Sequence, residues 1–259
     1  MMIFWSILSA VVGVIVVVGL CVALGRTERS VGGTYNAQAL SVVGSALLST
    51  FILVTAFLIA GTWSTYNSDR QHTYDEARAT TVAYWLADKL PTADRDHVRE
   101  GLTTYVNEVV GMDWPQMAHH QTSDAAWAAL DTLRADVAAL HPADAAAEKK
   151  RADLAAALDD VYAKRAIRTA DVNYDMPTII YEALIVGALL LIAYPPLVGL
   201  TANARNVTLL AGLGAMVGLG IFIVITLSHP YSHPLGLKAT AFEQALRRFA
   251  QITSGQAVG

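Results

Sequence analysis

Several things are scarce in this chain. It has one cysteine, Cys21, so no disulfide can close within it, and that cysteine lies inside an apolar run where packing is its natural role. Charged residues make up only 15% of the 259 positions, against 54% hydrophobic. Of the 40 charged residues, 31 crowd between Asp69 and Asp175, 12 of them basic and 19 acidic. With no basic face in that block, nucleic acid is excluded as a partner. Nucleophile motifs, phosphate-binding glycine loops and zinc patterns are all missing. An enzyme, including an integral membrane one, has no catalytic cluster to build on, and no cofactor is expected.

Long apolar runs are abundant, and mean hydropathy is +0.41. About 20 apolar residues suffice to cross a bilayer. Four segments reach that length: Met2–Leu24, Val42–Ser64, Pro177–Leu200 and Val207–Ser228. The first lacks the basic start of a signal peptide and exceeds the usual apolar length of one, so it reads as a retained span. Short links pair the spans into two hairpins. The expected fold is therefore all-α: a polytopic membrane protein with four transmembrane helices and a helical bundle between the hairpins. Its expected parts are a hairpin over 1–64, a helical domain over 65–176, a hairpin over 177–228 and a tail over 229–259. Lys and Arg near the span ends number eight in the central block and tail, against Arg26, Arg29 and Arg205 in the links. That bias places both termini and the block in the cytoplasm. Trp5, Trp63, Tyr66, Tyr181 and Tyr231 would form an inner aromatic belt, with Tyr35 and Tyr194 at the outer interface.

The central block has helical periodicity throughout. Val98, Leu102, Tyr105, Val106 and Val109 recur at that spacing, as do Leu130, Leu133, Val137 and Leu140, then Leu154, Leu158 and Val161. Pro91 and Pro142 are helix boundaries, and "GMDWPQMAHHQTSD" reads as a loop before a helix capped by Ser123 or Asp124. No glycine or proline interrupts Thr65–Leu90 or Ala143–Met176. The first of these helices should therefore continue from span two and the last should feed span three.

Candidate functional residues fall into three groups. In span two, Phe51, Val54, Thr55, Leu58 and Thr62 share one face by their spacing. They read either as a pore lining with a hydrophobic gate or as a helix contact with back-bonded hydroxyls. Beside the membrane, Glu76 follows span two by 12 residues and Arg165 precedes span three by 12. Equal depth makes Arg165 a partner for the Asp75–Glu76 pair, whereas Arg165 or Arg168 could instead draw anions to a vestibule. The third group is the turn after span four, His229, Pro230, Tyr231 and His233, in which the prolines stop the helix and Tyr231 anchors the corner at headgroup level. The histidines there, and His119–His120, read as capping or loop residues, and no metal site is assigned. Glu182 is shallow enough in span three to reach headgroups. Gly214 and Gly218 form a small-xxx-small pair suited to close helix approach.

Two spans, a helical block, two spans and a proline-aromatic turn into "AFEQAL" together resemble the bacterial bestrophin-like domain family. The resemblance is carried by "YDEARATTVAYWLADKLPTADRDHVREGLTTYV", by "AKRAIRTADVNYDMPTIIYEAL" and by the turn at Ser228–His233. There the family's Asp-x-Pro-Phe-Ser-Gly motif has Ser228, Tyr231 and His233 in place of the acid, the phenylalanine and the glycine. The resemblance implies an anion channel of a bacterial plasma membrane, built as a homo-oligomer, with the pentamer of bestrophins as its model and span two at the pore. Partners would be the lipid bilayer and small anions. Calcium gating is not implied, because the tail has only Glu243 where calcium-regulated bestrophins carry an acidic cluster. The competing reading is a membrane sensor or scaffold whose helical domain binds a protein.

Overall fold

In the computed structural model the described residues are 15, 19, 37–173, 176–201, 203–232 and 236–255, and their regular structure is entirely helical. The first expected span lies outside them apart from Ile15 and Gly19, as do Cys21, Tyr35 and His233.

Helix α1, Ala37–Ala87, is 51 residues long. At 1.5 Å per residue it extends for about 75 Å, well over twice the roughly 30 Å of hydrocarbon in a bilayer. Only its apolar first half can be a span; the charged second half runs on beyond it. The absence of glycine and proline after Thr65 allowed this continuity to be expected. Two further helices, α6 (Thr178–Leu197) and α7 (Ala204–Ser228), are also long and apolar enough to cross a membrane. Three described helices thus have membrane character.

Backbone contacts divide the chain into two compact units. One joins the chain up to Tyr66 with Asp175–His229. Its described core is Ala188, Leu191, Ile192, Leu210 and Val217, against which Leu47 and Phe51 of α1 pack. Close approach is built in at two glycines. A Cβ on Gly220 would lie 3.1 Å from Thr55 Cγ2, and one on Gly44 would lie 2.7 Å from the Tyr194 ring. The Tyr194 hydroxyl then donates to the Leu40 carbonyl. Gly214 is buried on α7, as small residues at membrane helix contacts tend to be.

The other unit spans Asn67–Tyr174 and continues from Pro230. It contains the second half of α1, α2 (Thr92–Glu108), α3 (Trp114–Met117), α4 (Asp124–Ala139), α5 (Ala145–Asp171) and α8 (Thr240–Thr253). The apolar stripes expected from spacing form its core, and Leu102, Val106, Val109, Leu130, Leu154, Leu158 and Val161 are wholly inaccessible. Leu140 differs: it caps α4 in extended conformation. Helix α8 adds Phe242, Ala245, Phe249 and Ile252 to the same core, with Phe249 stacked on Tyr84 at 4.1 Å.

Two expectations are corrected here. The stretch read as a loop is helical over its first half: α2 widens into a π-helical segment, Val109–Asp113, and continues directly into α3, and only residues 118–123 form the loop before the Ser123 cap. Pro115 is the second residue of α3, directly after the widened turn in which the Trp114 amide bonds to the Val109 carbonyl. Second, α5 does not run into α6. It ends at Asp171, and α6 begins after Pro177, whose ring disfavours helical backbone at Met176.

Side-chain caps are visible at the starts of α4 and α5. Ser123 accepts from the Ala126 amide, and Asp144 Oδ1 accepts from the Ala147 amide at 2.7 Å. Asp144→Ala removes the acceptor at the start of a 27-residue helix. We expect a loss of about 1 kcal/mol in denaturant titration of the detergent-solubilised protein, with Asp144→Ser nearly silent.

Candidate functional site

The second unit buries four ionised side chains in one cluster: Glu76 from α1, Asp113 from the π-helical segment, and Arg165 and Arg168 from α5. All four are 0% exposed. Burial of this kind is tolerable only when every charge is paired. Arg168 Nε meets Glu76 Oε2 at 2.6 Å and its Nη2 meets Glu76 Oε1 at 3.2 Å, a bidentate fork, while Nη2 also reaches Asp113 Oδ2 at 2.8 Å. Arg165 makes a second fork on Asp113, at 3.0 and 3.2 Å, and donates to the Ser123 carbonyl at 3.2 Å. Tyr105 donates to Glu76 Oε1 at 2.5 Å, and the Ser123 amide donates to Asp113 at 2.7 Å. Two cations and two anions balance.

The surroundings suit guanidinium groups better than ammonium groups. Arg165 lies 4.6 Å above the Trp127 ring and Arg168 5.3 Å from the Phe242 ring, so flat cations stack where carboxylates do not reach. The pKa directions follow from the same contacts. Burial alone would raise the Asp113 carboxyl, but the Arg168 charge and the Arg165 hydrogen bond hold it below its ordinary value. Burial opposes the Arg168 charge, yet Glu76 and then Asp113 push it above its usual range. Tyr105 is held protonated, first by burial and then by Glu76.

Glu76, Arg165 and Arg168 thus come together, with the pairing shifted by one helical turn from expectation. Glu76 takes Arg168, and Arg165 takes Asp113, while Asp75 is bonded to Gln71 instead. Equal depth selected Arg165, but residues three apart lie on one helix face, and rotation about the axis favoured its neighbour. The vestibule reading fails within this chain, because both guanidinium groups are inaccessible and neutralised. Asp113 was missed outright. A lone aspartate between a glycine and a proline carries loop signals, and the π-helical turn aims it inward.

In the turn after α7, the His229 ring caps the Ile225 carbonyl at 3.1 Å, matching the capping role expected of it. Tyr231 is buried, edge-on to Trp114 and packed with Met117 and Val172. The Pro230 carbonyl accepts from the Leu237 amide at 2.7 Å, closing the turn into α8. His120 has the left-handed backbone of a loop residue and reaches the Val172 carbonyl, and Glu182 is exposed on α6.

On α1, the proposed pore face divides. Thr55 and Thr62 are buried, Phe51 lies against Gly187, Leu58 is half-buried, and only Val54 is exposed, at 46%. The Thr62 hydroxyl is bonded back to the Leu58 carbonyl at 2.9 Å. Four of the five therefore belong to a packing seam within the chain. The opposite face carries Ala46, Thr50, Leu53, Phe57, Ala60 and Ser64, all exposed and spaced alternately four and three apart.

The sequence matches the bestrophin-like domain family over residues 4–242. No curated protein matches it. Among solved structures, a mutant bacterial bestrophin homologue from Klebsiella pneumoniae is similar with TM-score 0.71 and 10% identity, over 96% of this chain and 98% of the other. A second mutant of that homologue is similar with TM-score 0.69 and 11% identity, at the same coverage of both chains. Such identity speaks for the fold alone.

Proposed function

This chain belongs to the bestrophin-like domain family, and on that premise we propose that it is one subunit of an oligomeric anion channel in a bacterial plasma membrane. The observation that carries the reading is the open face of α1. A helix surface meant for lipid is dominated by large apolar side chains. This stripe instead has Ala46, Thr50, Ala60 and Ser64 on either side of a single large pair, Leu53 and Phe57, exposed by 58% and 71%. Repeated around an axis, it would line a pore with small and hydroxyl-bearing groups and narrow it at one apolar neck, where conduction is gated by dewetting. The subunit would cross the bilayer four times with both termini in the cytoplasm, as the Lys and Arg bias requires. It would conduct rather than catalyse. The buried Glu76–Arg168–Asp113–Arg165 cluster would keep the second unit rigid.

Purified protein should run in detergent as a closed homo-oligomer by light scattering, and in liposomes it should dissipate a chloride gradient. A stable monomer would remove the ring. An oligomer without anion flux would favour the scaffold reading.

A further inference from the structure

A second polar cluster lies in the same unit and is not used by the charged core. Asp69 and His72 sit one turn apart on α1, and Asp171 ends α5. One ligand atom from each, a carboxylate oxygen or an imidazole nitrogen, lies within 4.8 Å of the other two. His72 Nδ1 is 2.7 Å from Asp171 Oδ2. Asp69 is buried, at 4% exposure, while the His72 and Asp171 side chains keep 33% and 18%, so the cluster has an inner wall and an open side.

Two carboxylates at such separation, with one imidazole between them, are undercompensated. Burial first, and then the neighbouring Asp171 charge, push the Asp69 carboxyl up to about 7. Burial also raises Asp171, although the His72 hydrogen bond works against it. Asp171 additionally stands at the C-terminal end of a 27-residue helix, where the peptide dipoles disfavour an anion and favour a cation.

An independent observation points into the same place. Tyr231 is 8% exposed, yet its hydroxyl has no partner in hydrogen-bond geometry among the described residues. The charges acting on that hydroxyl are, in order, Asp69, Arg168 and Asp171, so it stands beside the cluster. The Thr73 hydroxyl, whose own proton goes to the Asp69 carbonyl at 2.9 Å, faces it only as a weak acceptor outside that geometry. A buried hydroxyl without a partner is costly unless something else satisfies it.

We propose that Asp69, His72 and Asp171 bind a divalent first-row transition cation, with the Tyr231 hydroxyl held for a metal-bound water or for the free oxygen of a ligating carboxylate. An imidazole nitrogen with two carboxylates suits zinc or manganese and argues against magnesium and calcium, which take oxygen ligands. Ligand atoms around such an ion sit about 3 to 3.5 Å apart when each metal–ligand distance is about 2.1 Å. Closing the cluster from 4.8 Å to that spacing takes a shift of about 1.5 Å or less. The ion would replace the proton shared by His72 and Asp171 and tie the membrane-exit stretch of α1 to the end of α5.

Zinc is the probe. The full chain in detergent, stripped with chelator and equilibrated with micromolar zinc, should retain one ion per chain by elemental analysis, and millimolar calcium should not displace it. Asp69→Asn and His72→Ala should lose it. Tyr231→Phe should weaken binding about 10-fold, as removal of an outer-shell partner does. His97→Ala is the control, since His97 pairs with Asp136 at 2.8 Å on the surface without a third ligand among the described residues. Should His72→Ala fail to fold, the shape-conserving Asp69→Asn decides. Zinc bound equally by wild type and Asp69→Asn, or no uptake by the wild type, overturns the assignment. None of these outcomes depends on whether the protein conducts.

Discussion

Arg168→Met should destabilise the protein by roughly 3–5 kcal/mol, among the largest effects available to one substitution. Methionine preserves much of the volume but leaves Glu76 and Asp113 facing each other without the cation that bridges them at 2.6 and 2.8 Å. Arg165 cannot replace it, since both of its terminal nitrogens are engaged on Asp113 and Ser123. Denaturant titration of the detergent-solubilised protein, followed by far-ultraviolet circular dichroism, measures the loss. Pairing Arg168→Met with Glu76→Gln tests the contact itself. The double variant should recover part of the loss, with a coupling of about 0.5–3 kcal/mol. The cycle between Arg165 and Glu76 should couple more weakly, since no bond joins them. Additivity between Arg168 and Glu76 within about 0.5 kcal/mol would mean that the two do not meet.

The same cluster fixes a direction with pH. The Asp113 carboxyl titrates lower in the folded chain than when unfolded, so its contribution is complete above the ordinary carboxylate range and is lost as pH falls through the folded value. Asp69 acts in the opposite sense. Its folded value near 7 favours the protonated form, so metal-free protein should lose stability from this group as pH rises from about 4 to about 7. Asp69→Asn should flatten that part of the profile and leave the acid limb intact.

How far sequence reasoning reached depends on the type of signal. The core stripes of α2, α4 and α5 were legible because a 3.6-residue period survives any arrangement of the helices. The unbroken α1 was legible because the absence of glycine and proline is a local fact. Asp113 was not, because its burial depends on a π-helical turn that no period announces. The choice between Arg165 and Arg168 was not, because depth along an axis is set by counting residues, whereas azimuth is set by packing. Polarity left α1 open between two readings for a related reason. Thr55 and Thr62 fitted a pore lining and a helix contact alike, because a hydroxyl bonded back to its own helix is at home in a tight seam, and Thr62 is so bonded. Within a membrane, a helix contact and a water-filled lining draw on the same small and hydroxyl-bearing residues. Only exposure separates them.

That separation predicts opposite outcomes for two phenylalanines on the same helix, six residues apart. Phe57 is 71% exposed on the stripe that would face the axis of a ring, whereas Phe51 lies half-buried against Gly187 of α6. Conduction through an apolar neck rises steeply once the radius admits continuous water. Phe57→Ala should therefore raise chloride flux in liposomes several-fold with little change in stability, and Phe57→Trp should lower it. Leu53→Ala, one turn away on the same stripe, should act in the same direction as Phe57→Ala. Phe51→Ala should leave the open-pore flux per folded oligomer unchanged and instead cost about 1–3 kcal/mol, part of the full penalty for emptying a buried aromatic site. Flux normalised to folded oligomer, read beside denaturation of the same samples, distinguishes the two. If Phe51→Ala opens the pore while Phe57→Ala is silent, the seam and the lining have been exchanged and the ring is built on the other face of α1. If neither residue alters flux, α1 does not line a pore. The exposed stripe would then be a surface for a partner helix, since Thr50 and Ser64 make it a poor one for lipid.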